Sequence, residues 1–204
     1  MFDKVNFRQT AGVEKSRSGR PSGGVGDRFE PKGFFVAEHW RDGLLIGKYR
    51  MRNGIVNEGK NNIFDVYFDS GTPITLWYML LVDNALFGSL DATDTYDDID
   101  QAGNDWDEFK TYTDPGNSNS TVTRPIWNPD AASGQSISNG TQTVFDITGT
   151  ATVKGLGIVG GGAASNTKGD HAADGTLWST ALFDQGDTAV INGDQLKITY
   201  TVSA

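Results

Sequence analysis

From Gly33 onward, apolar and polar positions alternate in short runs broken by Gly, Asn and Asp clusters, the pattern of antiparallel strands. GFFVAEHW and LLIGKYRMR flank Arg41-Asp42-Gly43, and an Asp-Gly pair between two such runs predicts a hairpin. In NEGKNNIFDVYF the period changes. Ile63, Phe64, Tyr67 and Phe68 share one face at helical spacing, which predicts a helix capped by Asn57 and stopped by Ser70-Gly71. Residues 74–83 (ITLWYMLLVD) are apolar nearly throughout and predict a central strand covered on both faces. Residues 84–116 lose periodicity and form a long acidic excursion. TVTRPIW, QTVFDI, TATVKGLGIV, LWSTALF and DQLKITYTVS then read as further strands, the last with Leu196, Ile198, Tyr200 and Val202 on one face. About seven or eight strands with one short helix predict a mainly β fold, an antiparallel β-sandwich or jelly-roll-like domain over residues 33–204.

Composition adds an arm to this domain. The 204-residue chain carries a net charge of −9, unevenly spread: residues 1–60 hold twelve Lys/Arg against seven Asp/Glu, whereas residues 61–204 hold five against nineteen. Within the basic part, residues 15–32 (KSRSGRPSGGVGDRFEPK) have only Val25 and Phe29 as large apolar members and cannot form a core of their own. They predict an extended basic arm over residues 1–32, with Lys15, Arg17, Arg20, Arg28 and Lys32 as its partner-binding residues. A solvated terminus, a nucleic-acid tail and an arm laid along an acidic neighbouring subunit compete as its role. The acidic remainder repels nucleic acid and offers sister subunits a complementary surface, which favours the last.

Candidate chemistry is sparse. There are no cysteines, so disulfides, thiolate nucleophiles and sulfur-held zinc are excluded, and only His39 and His171 could serve as imidazoles. His39, beside Trp40 in a strand, reads as a structural histidine, and His171 as an exposed one. GLGIVG (155–160) matches a dinucleotide fingerprint, yet it continues a strand pattern and no amphipathic helix follows, so close backbone packing is its expected role. In the acidic run, Asp98, Asp100 and Asn104 stand at positions 1, 3 and 7 of a calcium loop with Gly103 at 6. Ala102 and Phe109 occupy positions that need oxygen ligands, so no metal or other cofactor is expected there. A solvated acidic loop, or one that receives a basic arm, is the reading. No nucleophile elbow or marked carboxylate pair is present in the sequence. Trp77, Trp106, Trp127 and Trp178 lie in or beside apolar runs, where burial is their ordinary use rather than sugar stacking. No apolar run is long enough for a membrane helix, and MFDKVNFRQT lacks the apolar centre of a secretory signal.

A set of spaced residues carries a resemblance. Asn57-x-Gly59-x-Asn61, WYMLLVD, Asp94-Thr95, Trp106-x-Glu108 and Arg124-Pro125-x-Trp127 come first in order. Phe145-x-Ile147-x-Gly149-Thr150-x-Thr152-Val153-Lys154-Gly155, residues 177–183 and Gly193-Asp194-x-Leu196-x-Ile198-Thr199-Tyr200-Thr201 follow. From Gly47 to Ala204 the chain resembles a family of small structural proteins of tailed bacteriophages and prophages; the stretch before Gly33 lies outside that pattern. The resemblance implies a non-enzymatic virion component, first of all a β-sandwich capsid decoration (cement) protein.

Together these readings predict a homo-oligomer, a trimer first, that binds the major capsid protein or other virion proteins through its arm. It would assemble in the bacterial host cytoplasm and reside in the virion, without membrane or nucleic-acid partners. A tail or head–tail adaptor, and a carbohydrate-binding module acting on the host surface, are the alternatives. An exposed row of tryptophans would favour the last.

Overall fold

Alternation of apolar positions around Asp42-Gly43 produces the predicted hairpin in the computed structural model, which describes residues 29–103, 105–172 and 174–204. Strand β1 (Lys32–Arg41) pairs antiparallel with β2 (Leu44–Ile55) through a turn in which Asp42 and Gly43 both take positive φ, 50° and 76°. That is the backbone hand that matches strand twist. Helix α1 (Asn57–Phe68) follows, then β3 (Trp77–Asp83), β4 (Glu108–Phe109), β5 (Tyr112–Thr113), β6 (Ile126–Trp127) and β7 (Ser136–Ser138). The chain ends in β8 (Thr143–Ile147), β9 (Ala151–Gly161), β10 (Gly175–Leu182), β11 (Thr188–Val190) and β12 (Gln195–Ser203).

Every strand pairing among the described residues is antiparallel, and the fold is mainly β with a single α-helix, as the pattern predicts. The strands form one curled path, β4-β3-β9-β10-β2-β1-β12-β8-β5, rather than two detached sheets. Strand β2 turns the corner: its first part pairs with β1, and Gly54 and Ile55 at its end pair with Thr180 and Ser179 of β10. The two ends of the path, β4 and β5, are neighbours in sequence, separated by Lys110 and Thr111 alone. Residues 108–113 therefore belong to both edges and sew the curl shut.

Folding the sheet on itself brings alternate residues of facing strands together. Phe35, Met79, Phe145, Leu156, Ile158, Leu196 and Ile198 are fully or almost fully buried in one core, where Phe35 stacks on Tyr200 at 4.2 Å. The outer face of β3 is covered as well, which is why its sequence lacks alternation: Leu80 and Val82, with Val159 and Leu177, pack against Tyr96, Ile99 and Trp106. Tyr96, Ile99 and Trp106 of the excursion over residues 84–116 thus add a second core layer, while Asp91, Asp97 and Asp105 remain exposed, so the segment is only in part a solvated loop. Its carboxylates are used inside it. Asp94 accepts from Trp106 Nε1 at 3.0 Å, Asp98 from the Thr95 amide at 2.7 Å, and Asp100 from the Glu108 amide and Lys110 Nζ, each at 2.8 Å. Short polar side chains closing turns on nearby N–H groups explain how so acidic a segment folds.

The helix begins and ends where the sequence places it, but its cap differs. Val56 is the N-cap and Asn57 the first helical residue; the Val56 and Asn57 amides donate to the carbonyls of Trp178 (3.1 Å) and Ala92 (2.8 Å). Trp178 sits at an irregularity in the β9–β10 register, so its carbonyl is turned to the helix instead of the ladder. Gly59 packs directly beneath it, and a Cβ at Gly59 would lie 2.6 Å from the Trp178 carbonyl oxygen. At the other end Ser70 takes φ +59° and the Gly71 amide returns to the Asp65 carbonyl at 2.8 Å, a left-handed stop.

Candidate interaction surface

Helix α1 presents a face that the body does not cover. Phe64, Tyr67 and Phe68 are 55%, 78% and 82% exposed, and the two phenylalanine rings lie 6.3 Å apart. The apolar stripe predicted from sequence therefore splits: Phe64, Tyr67 and Phe68 point away from the core, whereas half-buried Ile63 faces the sheet, and Gly59 is the helix's buried residue. Between the helix and the sheet lies a cavity of about 330 Å³ walled by Ile63 and Val66 of α1 and by Trp77, Trp127, Trp178 and Ile158 of the sheet. A second cleft, about 340 Å³, opens on the other side of Ile63 and includes Phe29, Pro31 and Phe64.

The tryptophans do not make a sugar-stacking row. Trp106 and Trp127 are buried, and Trp77 and Trp178 are half-buried edge to face, 5.7 Å apart. Three polar edges are also engaged, Trp106 Nε1 with Asp94, Trp127 Nε1 with Asn139 and Trp178 Nε1 with the Tyr200 hydroxyl at 2.9 Å. Tyr200 accepts from Trp178 and from Asn53 Nδ2, which fills its lone pairs, so its own proton goes to Ser179 Oγ at 3.1 Å.

A second group of interest is a buried charged cluster that clasps residues 108–113. The Arg124 guanidinium is 1% exposed and uses all its donors. Nε and Nη2 hold the Glu108 carboxylate (2.8–3.2 Å), Nη1 donates to the Tyr96 hydroxyl (2.9 Å) and the Ser165 carbonyl (3.0 Å), and Nη2 also reaches the Asp170 carbonyl (2.9 Å). Glu108 further accepts from the Gly169 amide at 2.6 Å, and the Tyr96 hydroxyl donates to Asp170 at 2.7 Å. Burial opposes the Arg124 charge, but the facing carboxylate of Glu108 holds its pKa above the usual value. Burial raises the Tyr96 phenol. Lys168 lies 3.7 Å over the Tyr112 ring and donates to the Tyr112 and Lys110 carbonyls; burial lowers its pKa to about 8, against the pull of Glu108 and Asp114. With every Arg124 donor engaged, this cluster fastens loops.

The histidines are accounted for too. His39 Nε2 donates to buried Asp194 at 2.7 Å, because a carboxylate can only accept there. Arg41 grips the same carboxylate through Nε (2.7 Å) and Nη2 (2.8 Å) and holds it well below the usual carboxylate range, despite burial. His171, half-buried, pairs with the Gly169 carbonyl. GLGIVG runs along β9 with β3 on one side and β10 on the other, so its glycines serve packing; a Cβ on Gly160 would lie 2.6 Å from the Trp77 ring.

Of the arm residues, Lys15, Arg17, Arg20 and Arg28 lie outside the described residues, as does Asn104 of the candidate calcium loop. Lys32 opens β1 opposite Ser203 and pairs with Glu30 at 3.7 Å on the surface. Asp98 and Asp100 are engaged as turn acceptors, and no group of three or more ligand-type side chains able to hold a metal occurs among the described residues. The described residues contain no helix long and apolar enough to cross a membrane. Comparison with protein-family models, curated protein sequences and solved structures finds no match to this chain.

Proposed function

We propose that this chain is a non-enzymatic structural component of a bacteriophage virion, first of all a capsid decoration protein that binds the shell of major capsid protein and stabilises it, tethered by the basic segment that precedes β1. The single observation that carries the reading is the uncovered aromatic face of α1 on a body whose strand path ends in very short strands. Rings exposed at this level are costly unless a partner covers them. The ends of the strand path are two-residue strands, so strand addition there has little ladder to build on, and side-chain faces and the tether must supply attachment. The sequence resemblance supports the class of partner. Charge supports the tether: a basic segment precedes an acidic body, so one copy's arm suits another copy's surface.

A tether raises the effective concentration of each further contact, which is how modest patches hold a shell together. The test is incorporation into particles of the full chain against a chain lacking residues 1–28, which leaves β1 whole. The truncated protein is expected to fold and to stay off the particle. Arg17→Glu with Arg20→Glu is expected to weaken attachment more at low salt than at high, since screening acts over about 10 Å at 0.1 M. Normal incorporation of the truncated chain would overturn the tether.

A further inference from the structure

The cavity beneath α1 is apolar in a way that defines its occupant. Three indole rings and branched aliphatic side chains wall it, and none of its lining residues is charged. The Trp127 and Trp178 N–H groups are turned to Asn139 and Tyr200, so they are not free to bind a polar ligand. At about 330 Å³ it holds a few apolar side chains, at the lower end of ligand-pocket size. A second copy is a poor match. The exposed rings of Phe64, Tyr67 and Phe68 amount to on the order of 400 Å², against about 800 Å² per partner in a stable interface.

The chain itself carries a segment that fits. Phe29 and Pro31 line the adjoining cleft and Ile63 is shared by both, so the described body begins beside the cavity. Gly33 pairs with Val202, itself a wall residue. Upstream, Met1, Phe2, Val5 and Phe7 are clustered in the first seven residues, whereas residues 8–28 hold only Ala11, Val13 and Val25 as apolar members. Twenty-one residues can span at most roughly 70 Å, so residues 1–7 are within reach of the cavity.

We propose that the cavity under α1 is the docking site of the chain's own residues 1–7, with Phe2 and Phe7 as anchors and the basic stretch 8–28 as the connecting loop. Docking fills the cavity up to Tyr67 at its rim, and a partner that displaces the segment gains both the cavity and the released arm. The inference concerns the isolated protein and stands apart from the virion reading.

The chain has no cysteine, so an introduced pair reports proximity without background. Full-length Asn6→Cys/Asn62→Cys places the second thiol at the cavity wall; Asn6→Cys/Gln185→Cys places it on an exposed turn outside the lining. Under mild oxidation the first pair is expected to close within the monomer at least about tenfold faster than the second. Adding Phe2→Ser and Phe7→Ser should erase that difference and lower Tm slightly, while circular dichroism shows the fold intact. Equal rates for the two pairs, or no effect of the serine changes, would overturn the docking. Disulfide-linked dimers as the main product would overturn it in favour of a second copy.

Discussion

Replacing Arg124 with methionine removes a cation whose donors tie together three separate segments: Glu108 of β4, Tyr96, and Ser165 with Asp170 in the β9–β10 loop. The buried Glu108 carboxylate would keep the Gly169 amide at 2.6 Å and the Tyr112 hydroxyl at 3.4 Å, with Lys168 as a nearby opposite charge but no paired cation in contact. Removing one partner of a buried ion pair costs about 3–5 kcal/mol, a large share of the roughly 5–15 kcal/mol that holds a domain folded. Because Glu108 belongs to the segment that joins both edges of the sheet, amides of residues 108–113 should exchange with solvent sooner than those of β1. The pair itself is isolated by a cycle of Arg124→Met, Glu108→Gln and the double variant, each unfolded in urea and followed by tryptophan fluorescence. The double variant should lose at least about 2 kcal/mol less than the two single losses combined. Single losses under about 1 kcal/mol, or strict additivity, would refute the clasp.

Three further outcomes follow from the same geometry. Both amides that Glu58 serves, Tyr96 at 2.9 Å and Leu177 at 2.6 Å, reach one carboxylate oxygen, and burial raises its pKa. Glu58→Gln keeps both bonds without the desolvated charge and should match or exceed wild-type stability at pH 7 by urea unfolding. Glu58→Ala orphans both donors and should lose about 2–3 kcal/mol. Lys168, at about 8, lies below the roughly 10.4 of an unfolded lysine. The unfolded chain therefore binds more protons between those values, and this group makes the unfolding free energy rise with pH across that window; Lys168→Met should flatten the rise in urea titrations from pH 7 to 10. Gly59→Ala, usually a gain of about 1 kcal/mol within a helix, should instead lower Tm by several degrees, since the added Cβ meets the Trp178 carbonyl oxygen at 2.6 Å. An unchanged or raised Tm would show that the helix sits less tightly on β10.

Much of the fold is legible in the chain because its signals are local. The Asp42-Gly43 turn, the alternation of β12 and the left-handed stop at Ser70 each depend on a few adjacent residues. What eluded the sequence depends on contacts across it. Arg124 is one basic residue in a polar stretch, and nothing local marks it as buried opposite Glu108. The acidic run reads as a solvated loop because its carboxylates are counted as charges, whereas the fold spends Asp94, Asp98 and Asp100 on nearby N–H groups and buries Trp106. The helix periodicity around Ile63 and Phe64 is real, but periodicity cannot tell a face packed on the core from one left for a partner. The cavity wall is assembled from Val66, Trp77, Trp127 and Trp178, spread over more than a hundred residues, and only the curl of the sheet brings them together.

Copy number per purified particle, measured by quantitative mass spectrometry against the major shell protein, tests the proposed role most directly. A decoration protein should be present at a fixed, lattice-wide ratio to the shell subunit, in the hundreds per particle. A dozen or so copies would contradict shell decoration and place the chain at a tail or portal vertex, and absence from particles would contradict a virion role altogether.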